Sequence, residues 1–341
     1  MSDTLGTDMV SGRQSQGTPR AGDADGSASP ASPRAAARRR GRAMMRLEIA
    51  FLSGPAIIMF LAFVIFPVAL AAYYGFYRWH GYGPPTEWVG FNNYKLILED
   101  PAFHDVMKHT FMILGLSLVV QGPLAIAMAL LLNQKIRGRS AIRVLIFVPY
   151  IISEVIVGTG WSLMLPESGA LNGLLSNAGL GFLGADWLAD PDLAIWTLLG
   201  IITWKYIGFA VILMLAGLQS IPDELFEAAA IDGASYWQIQ RRITLPLLGP
   251  TIRIWAFLSI IGSLQLFDLV YIIWGPDVAG IAGTSTMAIY MDAQGRSAGN
   301  YGYGSAIAVV MFLISLVVAL IYQRFVLRRD LRGAVTEGTN R

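Results

Sequence analysis

Three ionisable side chains stand inside long apolar runs of this chain, where a charge is costly: Glu154, Lys205 and Asp268. Ionisable residues at such positions face a protein interior or a water-filled cavity, where they mark a ligand path or pair with one another. The residues alone leave both readings open. We therefore treat all three as candidates for a polar path through the molecule.

The neighbours of Lys205 and Asp268 are aromatic or small and polar. They are Trp204, Tyr206 and Phe209 on one run and Ser259, Ser263 and Gln265 on the other. Aromatic faces offer apolar area to sugar C–H groups, while hydroxyl, amide and carboxylate groups pair with ligand hydroxyls. The mixture suits a hydroxylated ligand, although aromatic anchors at span ends and small residues between packed helices give the same pattern.

No constellation of catalytic residues competes with this path. The chain has no G-x-x-x-x-G-K-[ST] phosphate loop and no cysteine, and its histidines, His80, His104 and His109, lack metal-ligand spacing. Residues 295–299 satisfy G-x-S-x-G around Ser297, but a hydrolase needs that motif between a strand and a helix of an α/β sheet. We expect an outer loop there, no metal site, no cofactor of its own and no enzymatic activity.

The elements that must position these groups are membrane helices. Of the 341 residues, 55% are hydrophobic and 14% charged, and the mean hydropathy is +0.53. A helix that crosses a hydrocarbon core of about 30 Å needs about 20 apolar residues. Such runs predict an all-α protein with six spans, near 51–75, 110–133, 144–165, 195–217, 250–274 and 305–327. Pro149 and Glu154 make the third span a candidate for a broken or re-entrant helix, and five spans are the alternative.

The distribution of Lys and Arg predicts the orientation. Apart from Lys205, only Arg78, Lys95, Lys108 and Arg296 lie outside the segments that are cytoplasmic if the N-terminus is inside. The positive-inside rule therefore predicts that both termini and the polar segment 220–246 face the cytoplasm.

Two terminal segments are expected to flank the membrane domain, which covers residues 47–330. Residues 1–46 are rich in Ser, Gly, Pro, Ala and Arg, a composition that predicts a disordered basic cytoplasmic tail. The arginine run at 38–46 suits anionic membrane lipid better than nucleic acid. Residues 331–341 are expected to form a short cytoplasmic C-terminal tail.

The polar segment 220–246 predicts a helix-turn-helix. Ser220 is a candidate cap, Pro222 suits a first helical turn, and acidic residues follow at the positive end of the helix. Gly233 suits the left-handed conformation that ends a helix, and Pro246 is expected to interrupt the second helix before the next apolar run. Short amphipathic helices of this kind either dock on a partner or lie flat on a membrane.

The same segment carries a family signature. Two blocks are present in full, with eight residues between them: Glu227-Ala228-Ala229-x-x-Asp232-Gly233-Ala234 and Ile243-x-Leu245-Pro246. They resemble the cytoplasmic signature loop of binding-protein-dependent ABC importer permeases, and the resemblance extends over residues 50–330. Residues 89–94 and 267–271 are similar to the sugar-importer branch, of the maltose- and glycerol-phosphate-type first permease. This chain differs from that branch in having a single glycine, Gly275, before Pro276. The branch usually carries two or three residues at this place, such as Gly-Gly.

The resemblance implies a type I ABC importer permease in the inner membrane of a bacterium or archaeon. Its partners would be a second, homologous permease, two ATP-binding cassette subunits that bind ATP and Mg, and an extracytoplasmic solute-binding protein that meets the outer loop 166–194. The first helix of the signature loop would insert into an ATPase, so that nucleotide-driven closure moves the spans. The cargo would be a carbohydrate, carried inward by alternating access.

The same resemblance places the substrate pocket between the spans on either side of the signature loop. The candidates there are Lys205, Tyr206, Phe209, Ser259, Ser263, Gln265 and Asp268, and Glu154 joins them as the ionisable group of the third span. Lys205 keeps a sugar phosphate or polyol phosphate open as an alternative cargo. A channel or exporter without an ATPase, or a membrane hydrolase that uses Ser297, are the alternatives from other classes.

Overall fold

The computed structural model describes residues 51–134 and 136–327, together with Met45 and Ile49. Apart from Met45, the tails expected at 1–46 and 331–341 lie outside the described residues. The α-helices are α1 Phe51–Tyr74, α2 Asn92–Glu99, α3 Pro101–Asn133, α4 Arg139–Ile151, α5 Glu154–Met164, α6 Ala170–Asn177, α7 Pro191–Gln219, α8 Asp223–Ile231, α9 Tyr236–Ile239, α10 Leu245–Leu247, α11 Gly249–Leu264, α12 Asp268–Ile273, α13 Gly275–Ile281, α14 Met287–Asp292 and α15 Tyr301–Tyr322.

Five helices of the described part are long and apolar enough to cross a membrane. They are Phe51–Tyr74, Pro101–Asn133, Pro191–Gln219, Gly249–Ile273 and Tyr301–Val326. Each lies over a run predicted from the sequence, although α3 begins at Pro101 rather than near residue 110. Helix Gly249–Ile273 covers the fifth of the six predicted spans. This fifth span is not helical at Gln265, Leu266 and Phe267, between α11 and α12.

The third predicted span is a bent pair of helices. α4 and α5 meet at 92° across Ile152 and Ser153. Pro149 lies in the last turn of α4, and the Ser153 hydroxyl caps α5 by accepting a hydrogen bond from the N–H of Ile156 at 3.3 Å. α4 packs against α7, whereas α5 packs against α12. The predicted break in this span is confirmed, as either a broken span or a re-entrant loop, so the described part has five spans, or six if the bent pair crosses the membrane as one.

Two of the long helices begin at an Asp-Pro pair. The Asp100 carboxylate accepts a hydrogen bond from the N–H of Ala102 at 2.9 Å, and the Asp190 carboxylate accepts one from Asp192 at 3.0 Å. A proline follows each cap at the first helical position, where its missing N–H has no intrahelical partner to lose. These pairs fix where α3 and α7 start.

α7 is the most deeply buried span of the described part. Gly208 lies where α7 crosses α4, and a Cβ there would meet the carbonyl oxygen of Ile146 at 2.3 Å. Glycine lets the two backbones approach closely, as small residues do where membrane helices cross. Lys205 stands three residues earlier on the same face of α7. The crossing therefore brings the Lys205 side chain to the break between α4 and α5.

A small hairpin follows α1. Strands β1 Tyr77–Arg78 and β2 Glu87–Trp88 pair antiparallel, and the exposed Arg78 and Glu87 side chains form an ion pair at 2.6 Å. The buried Asn93 amide donates to the carbonyls of Gly75 at 2.9 Å and Tyr77 at 3.0 Å. That amide fixes the turn from α1 into the hairpin.

Candidate functional site

The Lys205 ammonium group fills the break in the third span. Its Nζ donates to the carbonyl oxygens of Ile152 at 2.7 Å, Pro149 at 3.3 Å and Tyr150 at 3.4 Å. The side chain is 2% exposed. A helix end leaves its last carbonyls without intrahelical donors. Lys205 supplies these donors at the end of α4 from a residue far away in the sequence.

Glu154 and Tyr206 complete this cluster. The Glu154 Oε1 atom lies 3.5 Å from Lys205 Nζ and accepts a hydrogen bond from the Tyr206 hydroxyl at 2.8 Å. The Lys205 Nζ atom also lies 5.6 Å from the centre of the Tyr206 ring. The other Glu154 oxygen, Oε2, is buried and has no partner within the described residues. The cluster joins α4, α5 and α7 through one cation.

A cavity of about 320 Å³ lies beside this cluster, between α3, α7 and α11. Its lining is aromatic, aliphatic and uncharged within the described residues. The lining residues are Ile113, Ser117, Gln121, Tyr150, Ile202, Tyr206, Phe209, Trp255, Leu258, Ser259, Gly262, Ser263 and Leu266. Four predicted site residues are therefore brought together: Tyr206, Phe209, Ser259 and Ser263.

The other predicted path residues stand apart from the cavity. Lys205 and Glu154 lie in the cluster at the helix break and do not line it. Gln265 and Asp268 are exposed, at the two ends of the non-helical stretch of the fifth span, and Asp268 is the first residue of α12. The cavity therefore contains only part of the predicted path.

The cavity contains a polar pair that the sequence reasoning missed. The Ser117 hydroxyl donates to Gln121 Oε1 at 3.0 Å and lies 2.7 Å from the Ser259 hydroxyl. Gln121 is 4% exposed, and its Nε2 has no hydrogen-bond partner within the described residues. The missed signal is the spacing of the two residues, since i and i+4 place a serine and a glutamine on one face of an apolar helix.

The signature loop folds as two short helices joined by a tight turn. α8 ends with Gly233 at φ +77°, and the N–H of Ala234 donates to the Ala229 carbonyl at 2.9 Å. This is the glycine-ended helix terminus that the sequence predicts. Ser235 and Gln238 form a capping box at the start of α9, in which the Ser235 N–H donates to Gln238 Oε1 at 2.7 Å.

The expected cap at Ser220 is wrong. The Ser220 hydroxyl donates to the Gly217 carbonyl at 2.7 Å, so it ends α7 instead of starting α8. α8 begins at Asp223, directly after Pro222 in an extended conformation. Asp223 and Glu224 occupy its first turn, where the helix dipole favours negative charge.

The α-helix is interrupted around Pro246, as the sequence predicts, but the interruption takes an unexpected form. A π-helical turn, Gln240–Thr244, precedes the proline and a turn at Leu248 follows it, while the other residues of 236–264 are helical. The wider turn changes the hydrogen-bond pattern where Pro246 can supply no N–H. The second helix of the loop is therefore nearly continuous with the fifth span, and Ile243 and Leu245 of the signature lie at this junction.

The signature loop exposes large apolar side chains. Ile231 is 87% exposed at the end of α8, and Trp237 is 71% exposed on α9. Glu227, Ala228 and Asp232 are exposed beside them. A loop that lay unpartnered in water would not normally present such a surface, since large exposed apolar patches mark interaction sites.

The G-x-S-x-G segment is not a nucleophile elbow. Ser297 ends a π-helical turn, Ala293–Ser297, that continues α14, so the element directly before it is a helix and not a strand. Arg296 pairs with Asp292 at 2.8 Å and donates to the Tyr271 hydroxyl at 2.7 Å. The hydrogen bond to Asp292 raises the pKa of the Arg296 guanidinium. Within the described residues no group of three or more His, Cys, Asp or Glu side chains is placed to hold a metal.

Comparison with known proteins identifies the family. A profile of the family described as the binding-protein-dependent transport system inner membrane component matches residues 121–330. The chain belongs to this family. A probable ABC transporter permease of Pyrococcus horikoshii is 36% identical over 272 residues, which cover 79% of this chain and 91% of that protein. The trehalose/maltose transport system permease protein MalF of Thermococcus litoralis is 33% identical, with 79% and 90% covered.

Solved structures agree with the fold of this permease. A bacterial ABC transporter involved in the import of the acidic polysaccharide alginate matches with a TM-score of 0.71 and 27% identity, covering 84% of this chain and 99% of that one. The structure of a bacterial alginate ABC transporter in complex with an alginate pentasaccharide-bound periplasmic protein gives the same TM-score, with 95% of that chain covered. The predicted all-α permease fold is confirmed, and so is the assignment of ATP hydrolysis to a separate subunit.

Proposed function

We propose that this permease carries a neutral carbohydrate inward through the cavity between α3, α7 and α11. The unpartnered Gln121 Nε2 carries the proposal, because a buried amide donor without an acceptor is costly and a ligand hydroxyl oxygen would satisfy it. Tyr206 and Trp255 supply aromatic surface against sugar C–H groups. The cavity of about 320 Å³ is large enough for a small ligand, for which pockets of roughly 300–1,000 Å³ are typical.

The uncharged lining argues against an anionic cargo. Lys205 was the residue that kept a sugar phosphate open, but its ammonium donates to three carbonyls and stands beside Glu154. An anion in an uncharged cavity would lose its hydration without a paired cation. The related alginate importer carries an acidic polysaccharide, so charge selection is expected to differ between that transporter and this one.

We further infer the partners and the orientation of the permease. A second, homologous permease completes the membrane domain, two ATPase subunits that bind ATP and Mg lie below it, and a solute-binding protein delivers the sugar from outside. Both termini and the signature loop face the cytoplasm. The exposed Ile231 and Glu227 of α8 support docking on an ATPase, and the apolar outer faces of α1 and α15 support contact with membrane lipid. ATP-driven movement of these spans gives alternating access.

A transport assay tests the cargo. The complete importer in proteoliposomes is offered labelled trehalose and maltose, with unlabelled glucose 6-phosphate and a uronic acid disaccharide as competitors. We expect at least one neutral sugar to be taken up with ATP and neither anion to compete. Exchange of Gln121 for leucine should raise the KM for that sugar about ten-fold, the effect of losing a hydrogen bond of about 1.4 kcal/mol. Competition by either anion would contradict the proposal.

A labelling assay tests the orientation. The chain contains no cysteine, so Ile231→Cys gives a single reactive thiol in the signature loop. In vesicles that hold the permease without its ATPase subunits, a membrane-impermeant maleimide should label this thiol when the vesicles are inside-out and not when they are right-side-out. The reverse result would place the loop, and with it the proposed ATPase surface, outside the cell.

A further inference from the structure

The break between α4 and α5 creates a cluster of oxygen atoms around one point. Pro149, Tyr150 and Ile152 turn their carbonyls toward the middle of α7, and Glu154 Oε1 approaches from the start of α5. In a membrane protein, irregular backbone is tolerated only where such groups find partners inside the protein. Oxygens that converge in this way form a site for a cation.

Lys205 Nζ occupies that point. An ammonium group has three N–H donors, and the three carbonyls accept all of them while the carboxylate lies at 3.5 Å. The lysine is therefore a cation tethered to α7 by its own side chain. Gly208, one turn further along α7, permits the close helix approach that lets Nζ reach the oxygens.

Two cavity residues depend on this cation. Tyr150 accepts from Lys205 through its own carbonyl, and its ring stacks on Phe209 with the ring centres 5.1 Å apart. Tyr206 adjoins Lys205 in sequence and donates to Glu154. Both tyrosine rings line the cavity.

We propose that Lys205 is a positioning residue that holds the two halves of the third span in register and so directs Tyr150 and Tyr206 into the cavity. Lys205 itself does not contact the cargo. The effect on transport rests on the proposed function, whereas the effect on the helix break does not. The two can be measured separately.

The first measurement is a distance across the break. Spin labels on Leu145→Cys in α4 and Leu163→Cys in α5 occupy positions that are 72% and 70% exposed. In the full-length complex we expect a narrow distance distribution with Lys205 present and a distribution at least twice as broad in Lys205→Ala. Added n-propylammonium, which replaces the missing atoms from Cγ to Nζ, should narrow it again. Lys108→Met is the matched control, because Lys108 is exposed and its ion pair, with Asp105, lies within one helix away from the break.

Glu154→Gln removes the ion pair but keeps Lys205 and its three carbonyl contacts. It therefore tests the contribution of the ion pair separately from that of the carbonyls. We expect an unchanged distance distribution in this variant, because the three carbonyl contacts remain and the amide oxygen of the introduced glutamine can still accept from Lys205 and Tyr206. If Glu154→Gln broadens the distribution as much as Lys205→Ala does, or if n-propylammonium does not narrow it in Lys205→Ala, the tethered-cation proposal is overturned. If Lys205→Ala does not accumulate, two measurements replace it. Glu154→Gln must keep the unmodified distance distribution, and a strain that carries Lys205→Ala must grow on the transported sugar only when n-propylammonium is added. Failure of either result overturns the proposal.

The second measurement is transport. In proteoliposomes with the neutral sugar taken up by the unmodified importer, Lys205→Ala should raise KM about ten-fold and leave ATPase recovery on purification unchanged. n-Propylammonium should restore the KM. A fall in kcat at constant KM would show that Lys205 does not position the cavity. If no neutral sugar is transported by the unmodified importer, the proposed function fails while the distance measurement still decides on the helix break.

Discussion

The helix break at Lys205 and the signature loop at 220–246 are two polar interruptions of an apolar chain. They differ in what they bury and what they expose. At the break the charged group is buried and each of its donors has an acceptor. In the signature loop Ile231 and Trp237 are apolar and exposed. A buried, fully paired charge serves the protein's own structure, whereas exposed apolar side chains on a short helix need a partner.

The largest expected effect comes from the crossing that supports the break. Gly208→Ala should cost several kcal/mol of stability, because the new Cβ meets the backbone carbonyl of Ile146 at 2.3 Å and neither helix can yield cheaply. We expect a loss of most folded protein or a fall in Tm of more than about 8 °C in detergent. Gly200→Ala on the same helix is the control, since nothing lies within 4 Å of that Cβ.

The next effect should appear at the signature loop and leave stability unchanged. Ile231→Ser removes an 87% exposed apolar side chain from α8 and should lower the amount of ATPase that co-purifies with the tagged permease about ten-fold. Trp237→Ser on α9 should have a smaller effect if α8 is the inserted helix. Equal losses from both variants would mean that the docking surface spans the whole loop.

Gly233 gives a smaller effect of different origin. Its Cβ would have open space, but its φ is +77°, so Gly233→Ala should cost about 1–2 kcal/mol through backbone strain alone. Thermal unfolding of the purified subunit measures the cost. Gly208 and Gly233 thus test the two regions separately: one glycine is required for space and the other for backbone conformation. A Tm for Gly233→Ala as low as that of Gly208→Ala would remove this distinction.

The smallest effects should come from the two serine caps. Ser153 begins α5 at the break and Ser235 begins α9 in the loop. Loss of an N-cap costs about 0.5–2 kcal/mol. Both serines are exposed in the structure. We expect Ser153→Ala near the upper end, because Ser153 lies within a predicted membrane span, where lipid rather than water surrounds an exposed group, and Ser235→Ala near the lower end. The reverse order in Tm would show that the break is better hydrated than the loop.

The sequence predicted the elements that depend on local pattern. The spans follow from apolar runs, and the end of α8 follows from Gly233, whose conformation is a local property of the chain. The form of the interruption at Pro246 was not predicted, because the π-helical turn ahead of it has no sequence pattern that we used. That turn forms only when the five residues Gln240–Thr244 change their backbone hydrogen bonds together.

The site was harder to predict for a physical reason. The acceptors of Lys205 are carbonyls of Pro149, Tyr150 and Ile152, and backbone groups carry no residue-type signal. Sequence reasoning therefore counted Lys205 as a group open to cargo, although its donors are used within the fold. Tyr206 and Ser259 were predicted as path residues from their residue types, and both line the cavity. Gln121 was missed because one amide in an apolar helix was read as part of the span.

α11 runs unbroken from Gly249 to Leu264, which is about 24 Å at 1.5 Å per residue. Its start is joined to the signature loop through Pro246 and the π-helical turn Gln240–Thr244, and helices commonly bend at such places. Ser259 lies about 15 Å along α11, so a tilt of about 10° at that joint would move its hydroxyl by roughly 3 Å. That displacement is similar to the 2.7 Å between the Ser117 and Ser259 hydroxyls, so a small rocking motion of one helix suffices to part this pair in the wall of the cavity.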